Sequence, residues 1–212
     1  MKRIESLLEI REKTQGYVVS GNNVKIHYEL YGVGPIKIVF VMGFQCTKEQ
    51  WILQVDHFRR IEDGQAFQVC IFDNRGVGSS DHPSFLTCTS IMASDVKAIA
   101  DTLHWSKFHL VGSSMGGMIC LEFACSHHEY LLSLTLLNTH AGGVRSLFAP
   151  WASWPLQLEW TWRILSRDVQ GRVNTTLKIR YGPHIVDPAP EWEAIRSSHM
   201  TRIMGTKKPR LR

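Results

Sequence analysis

Several features that would mark a specialised class of protein are missing from this 212-residue chain. No apolar run approaches the roughly 18 residues that a membrane-spanning helix requires. The N-terminal stretch from Met1 to Gln15 lacks an apolar signal core, and Glu5, Glu9 and Glu12 interrupt the basic face of a mitochondrial presequence. Neither C-x-x-C nor H-x-x-x-H occurs, so the spacing that builds zinc sites is missing. The five cysteines (Cys46, Cys70, Cys88, Cys120 and Cys125) are odd in number and lie in or beside apolar segments. That usage predicts reduced, mostly buried thiols and a cytoplasmic location. Internal repeats and low-complexity tracts are also lacking.

The chain has little net charge once the excess is located. Its formal charge is +5, but Arg202, Lys207, Lys208, Arg210 and Arg212 sit in a terminal stretch without acids. The rest of the chain is balanced. A nucleic-acid footprint would spread over a folded face and bring its own motifs, so the tail reads as a solvated charge run and no nucleic-acid partner is expected.

What remains is ordinary for one globular domain: 44% hydrophobic and 20% charged residues. Tyr17–Ser20 and Val24–Leu30 flank Gly21-Asn22-Asn23 and predict a β-hairpin. The β-branched run 36–42 predicts a strand ending at Gly43. Thr47-x-x-Gln50 reads as a capping box, and Trp51, Val55 and Phe58 recur at helical spacing. The alternation then repeats. Strands are expected at 67–72, 108–111 and 131–137, with helices carrying Met92, Val96, Ile99 and Leu103, and then the apolar stretch 117–125. A hairpin followed by alternating strands and helices predicts an α/β fold, its mostly parallel sheet covered by helices on both faces.

Beyond Gly142 the texture changes. Trp151, Trp154, Trp160 and Trp162 crowd one segment, and Leu156, Leu158, Trp160, Trp162 and Ile164 alternate strictly, which taken alone favours a strand. Segments around Val169–Leu177 and after Pro190 read as helices.

The chemistry is concentrated in Val111-Gly112-Ser113-Ser114-Met115-Gly116-Gly117. Gly112-x-Ser114-x-Gly116 follows an apolar strand and opens an apolar helix, the setting in which G-x-S-x-G is informative. A serine on a sharp strand-to-helix turn needs small residues two positions either side. The helix that follows aims its positive end at the turn.

Three motifs in order, Met42-Gly43-Phe44-Gln45, Phe72-Asp73-Asn74-Arg75-Gly76-Val77-Gly78-Ser79-Ser80 and the serine elbow, resemble the α/β-hydrolase superfamily, in its broad group of serine hydrolases. The resemblance runs from about Tyr17 to His140. It implies an α/β-hydrolase fold, with Ser114 as nucleophile and the backbone N–H groups of Phe44 and Met115 as the oxyanion hole. It implies neither metal nor other cofactor. Asp73, Arg75, Gly76 and Gly78 would shape a loop rather than carry catalysis. Serine at position 114 disfavours the epoxide hydrolases and haloalkane dehalogenases of this fold, which attack with aspartate. Hydrolysis of ester, lactone or related acyl bonds in a small apolar substrate is the implied activity.

In that family the nucleophile is followed in the chain by an acid and then a histidine. Beyond Gly142, Asp187 with His199 and Asp168 with His184 or His199 are the aspartate–histidine pairs in this order, and none follows an identifiable strand. His140 would line the pocket or a hinge, and His109 would be a packed core histidine. The chain therefore divides, as an expectation, into a hydrolase core at 17–141, a cap-like segment at 142–204 and a basic tail at 205–212. Its remaining strands and triad partners would be lost by truncation. Two partner surfaces follow: the tryptophan-rich cap, for surface contact with a membrane, and an open sheet edge, for association. A non-catalytic binding or regulatory isoform is the rival reading.

Overall fold

The computed structural model describes residues 13–44, 46–84 and 87–141, together with isolated helical positions between 155 and 175. Two compact units meet in the sequence at Ala141 and Gly142.

The first unit is built on a six-stranded sheet. Its strands are β1 (Lys13–Ser20), β2 (Val24–Tyr31), β3 (Ile36–Val41), β4 (Phe67–Phe72), β5 (Phe108–Ser113) and β6 (Leu131–Leu137). They lie in the order β1-β2-β4-β3-β5-β6. β1 and β2 are antiparallel, with Ser20 opposite Val24, as the hairpin signal predicts. Asn22 and Asn23 take left-handed φ values of 61° and 57° in the connecting turn, a region asparagine tolerates better than most residues. β2 meets β4 antiparallel; β4, β3, β5 and β6 are parallel to one another.

Helices α1 (Ile52–Arg60), α2 (Thr89–Thr102) and α3 (Met115–His127) complete the unit. The unbroken apolar runs of β3 and β4 are explained by burial on both faces. Ile38, Phe40, Val69 and Ile71 pack with Trp51, Ile52 and Val55 on the α1 side. Val39, Val41, Cys70 and Phe72 pack with Val96, Ile99, Ile119 and Phe123 on the α2 and α3 side. Each such side chain contributes about 1.5–3 kcal/mol by leaving water. A polar residue at any of these strand positions would therefore be felt across the sheet.

The capping box expected at Thr47 is not formed. Its hydroxyl makes no capping bond, and the helix opens instead with a tight 3₁₀ turn over Lys48–Trp51. The Lys48 N–H is taken by the Asp73 carboxylate at 2.9 Å, so a residue from a distant loop supplies the cap.

β6 is the edge of the sheet, with no second strand neighbour among the described residues. Leu132 is 56% exposed, and Leu136 and Leu137 are exposed as well. His109, expected in the core, is only half-buried and hydrogen-bonds Ser133 of β6 at 2.7 Å. Its strand has a single edge neighbour on that side, so the face carrying it is not fully covered.

In the second unit, Pro155, Leu158, Glu159, Trp162 and Arg163 are helical, so the alternation of 156–164 does not produce a strand. Arg163 pairs with Glu159 one turn earlier at 2.7 Å. The same carboxylate accepts the hydroxyl of fully buried Thr175, itself helical, at 3.1 Å. Leu158 and Trp162, also one turn apart, are 64% and 69% exposed. Trp151, Trp154, Trp160 and the candidate partners Asp168, His184, Asp187 and His199 lie outside the described residues.

Candidate active site

β5 runs directly into α3, and Ser114 is the single residue between them. Its backbone sits at φ 55°, ψ −122°, a conformation that costs an L-residue on the order of 1–3 kcal/mol. The surroundings over-determine it. Its N–H donates to the Leu137 carbonyl at 2.9 Å, and its own carbonyl accepts the Gly117 N–H at 2.9 Å. The Thr139 hydroxyl donates to the same carbonyl at 2.7 Å.

The two flanking glycines are required by space. A Cβ on Gly112 would lie 2.5 Å from Cys120 Sγ, and one on Gly116 would run into the carbonyls of Val41 and Met42. α3 can therefore approach β3 only with glycine at its second position. The result is an exposed serine at the positive end of a 13-residue helix.

The loop after β3 lies against this elbow. A Cβ built on Gly43 would be 3.1 Å from Ser114 Cβ and 3.6 Å from Ser114 Oγ. Phe44, the next residue, is exposed. Met115, the other expected oxyanion donor, is the first residue of α3. Its N–H has no partner in the helix, as for any first-turn amide. Ser114, Gly43 and Met115 are thus brought together at the C-terminal end of the parallel strands, where ligands bind in open α/β sheets.

The loop after β4 organises this loop without reaching the serine. Asp73 is fully buried and accepts Lys48 N–H at 2.9 Å, Lys48 Nζ at 3.0 Å and Ser79 N–H at 3.0 Å. Glu29 and Glu49 also face Lys48 Nζ, at 3.7 Å and 2.9 Å. Burial alone would lower the Lys48 pKa, but the carboxylates of Asp73, Glu49 and Glu29 outweigh it and hold the ammonium charged above its ordinary range. Arg75 donates from Nε to Asp95 on α2 at 2.7 Å, a buried pair that pins the loop to the opposite face. Asn74 was not visible in the spacing of motifs. Its amide donates to the Met42 carbonyl at 2.7 Å.

No histidine or carboxylate among the described residues hydrogen-bonds Ser114 Oγ. His140 is exposed at the end of the first unit, two residues beyond the β6 turn at Asn138. Among the described residues no three His, Cys, Asp or Glu side chains converge to hold a metal. A cavity of about 220 Å³, lined by Lys13, Glu29, Tyr31, Glu49, Ile52 and Ile71, involves none of the elbow residues.

Comparison with known proteins places this geometry. A family model described as the alpha/beta hydrolase fold matches residues 38–189, and the chain belongs to that family. A 2-hydroxy-6-oxononadienedioate/2-hydroxy-6-oxononatrienedioate hydrolase of Burkholderia vietnamiensis is 31% identical over 157 residues, covering 69% of this chain and 51% of the relative. Human epoxide hydrolase 4 is 29% identical over 132 residues, covering 59% and 34%. Among solved structures, Est816, described as an N-acyl homoserine lactone degrading enzyme, superposes with a TM-score of 0.65 at 26% identity, over 88% of this chain and 65% of that one. The enol-lactonase from Burkholderia xenovorans gives 0.70 at 20% identity, over 90% and 68%, a likeness of fold. The chain spans about half the length of the curated hydrolases it matches, 45% and 51% for two of them.

Proposed function

We propose that this chain carries the nucleophile half of a serine hydrolase acting on ester, lactone or related acyl bonds of small apolar substrates. The observation that carries the reading is Ser114 itself. A non-glycine residue is held by hydrogen bonds at both its backbone N–H and its carbonyl at φ 55°, ψ −122°, with its side chain exposed at a helix N-terminus. Strain of this kind persists where structure over-determines it, and such sites are enriched in function.

In this reading Ser114 Oγ attacks the substrate carbonyl carbon, and its proton passes to a histidine base. The carbonyl oxygen becomes an oxyanion that accepts the Phe44 and Met115 N–H groups. When the carbon–oxygen bond to the leaving group breaks, the base returns the proton to that group. Water, activated by the same base, then attacks the acyl-serine and releases the acid and free Ser114. The base and its supporting acid belong outside the residues described around Ser114, in keeping with relatives of which this chain matches only about half. The lactone-degrading description of Est816 and the hydrolase relatives support the acyl class. A serine nucleophile sets the chain apart from aspartate-dependent epoxide opening. The balanced body charge and the cysteine usage support a cytoplasmic protein without nucleic-acid partners.

A second reading, a non-catalytic binding isoform that associates through its sheet edge, is favoured by two observations. No described histidine or carboxylate hydrogen-bonds Ser114 Oγ, and Leu132, Leu136 and Leu137 are exposed on β6. A fluorophosphonate probe separates the two. Stoichiometric labelling lost in Ser114→Ala supports the hydrolase. A folded sample that takes no label refutes it and leaves the binding reading.

A further inference from the structure

Gly43 stands at the point where the loop after β3 meets the nucleophile. A side chain there would press on Ser114 Cβ and the Ser113 carbonyl, each at 3.1 Å, so the close approach favours glycine. Glycine has a cost at this place. With no Cβ it permits a wide range of φ and ψ, so the peptide planes on either side can rotate. One of those planes carries the Phe44 N–H.

Both planes are held from outside. On the far side, the Gly43 carbonyl accepts the Cys46 N–H at 3.3 Å. A trans peptide sets its N–H opposite its carbonyl, so this bond also sets the direction of the Phe44 N–H. On the near side, the Met42 carbonyl accepts the buried Asn74 amide at 2.7 Å. The preceding residue, Asp73, grips Lys48 through both its N–H and its Nζ. Two consecutive residues of the loop after β4 therefore hold the stretch 42–48 at its two ends, with the Gly43 swivel between them.

We propose that Asn74 is a positioning residue for the oxyanion hole: by fixing the Met42 carbonyl it locks the swivel at Gly43, and with it the peptide that presents the Phe44 N–H beside Ser114. This rests on the serine-hydrolase reading. Asn74 touches neither substrate nor nucleophile. It acts through backbone orientation, and its contribution is to remove the rotated arrangement in which a carbonyl rather than an N–H faces the developing oxyanion.

The test uses the full chain and the rate of fluorophosphonate labelling at Ser114, whose phosphonyl oxygen occupies the oxyanion position. Asn74→Leu keeps the size of the side chain and removes the donor. Removing a donor outright costs about 10²–10³ in rate, so freeing the swivel is expected to slow labelling by about tenfold or more. Hydrogen exchange should rise over residues 42–48 and stay unchanged in α2. Asn74→Asp supplies a second readout. Its protonated carboxyl can donate to the Met42 carbonyl and its ionised form cannot, so its rate relative to the native chain should fall as pH rises.

A folded Asn74→Leu that labels within twofold of the native chain overturns the proposal. If Asn74→Leu does not fold, an Asn74→Asp to native ratio that is flat with pH overturns it, and a falling ratio supports it. Failure of the native chain to label at all overturns the serine-hydrolase reading, and this positioning role falls with it.

Discussion

Replacing Ser114 by glycine should make the protein more stable, and the structure gives the size of the effect. At φ 55°, ψ −122° a side chain is strained, at about 1–3 kcal/mol. Glycine occupies this region freely but gives the unfolded chain more conformational freedom, at about 0.5–1 kcal/mol. The net gain is about 0–2.5 kcal/mol, centred near 1 kcal/mol. For a chain of this size each kcal/mol moves the melting temperature by about 2–4 °C, so Ser114→Gly should melt a few degrees higher. Ser114→Ala is the control. It removes the hydroxyl, which has no hydrogen-bond partner among the described residues, and keeps the Cβ that creates the strain. Its melting temperature should stay within about 1 °C of the native value on the same scale. Differential scanning calorimetry or fluorimetry of the three proteins decides the matter. Equal melting temperatures for the glycine and alanine variants would refute the argument that backbone strain is stored at Ser114.

Three further outcomes follow from other parts of the site. Gly116→Ala places a Cβ against the Val41 and Met42 carbonyls. It should destabilise by about 1–3 kcal/mol and slow Ser114 labelling, because those carbonyls lead into Gly43; a variant that matches the native chain in both would show the contact is soft. Lys48→Met leaves the buried Asp73 carboxylate without its cation, while Glu29 keeps Lys13 at 2.9 Å, and should cost about 3–5 kcal/mol in urea denaturation. A loss below about 1 kcal/mol would mean that solvent reaches the cluster. His27 is held below its ordinary 6.5 by burial and then by Lys48, against the opposing pull of Glu29, Asp73 and Glu49. The folded protein thus refuses a proton that the unfolded chain accepts, so this contribution is complete above 6.5 and is lost as pH falls below it. Melting temperatures between pH 7.5 and 5 should fall, and less steeply in His27→Gln; parallel slopes would remove His27 as the cause.

The parts of this fold that could be read from the sequence are those governed by neighbours along the chain. Gly21-Asn22-Asn23 announces its hairpin because asparagine tolerates left-handed backbone. The runs at 36–41 and 67–72 announce doubly buried strands because no polar residue interrupts them. Ser114 and its two glycines announce the elbow for the same local reason. Contacts between distant residues stayed hidden. The capping box of Thr47 and Gln50 is not formed, and Asp73 instead takes the Lys48 N–H across 25 positions. Asn74 reaches Met42 across 32, and no spacing rule looks that far. His109 fits a core pattern by alternation, but alternation says nothing about whether a strand lies one place from the edge. The strict alternation of 156–164 fails where charged Glu159 and Arg163 pair at helical spacing, because apolar periodicity ignores i,i+4 electrostatics.

The last residue of β6 has a reach beyond its own strand. Leu137 passes its carbonyl to the Ser114 N–H, and Thr139, two residues on, supports the carbonyl of the same serine. This edge strand of the described sheet is therefore one hydrogen bond away from the Ser114 backbone. Whatever pairs along the outer side of β6 would brace the strand that braces the serine. Fraying of that strand would let Ser114 relax towards an unstrained backbone. In this architecture the backbone conformation of Ser114, the proposed nucleophile, is set partly at the rim of the sheet.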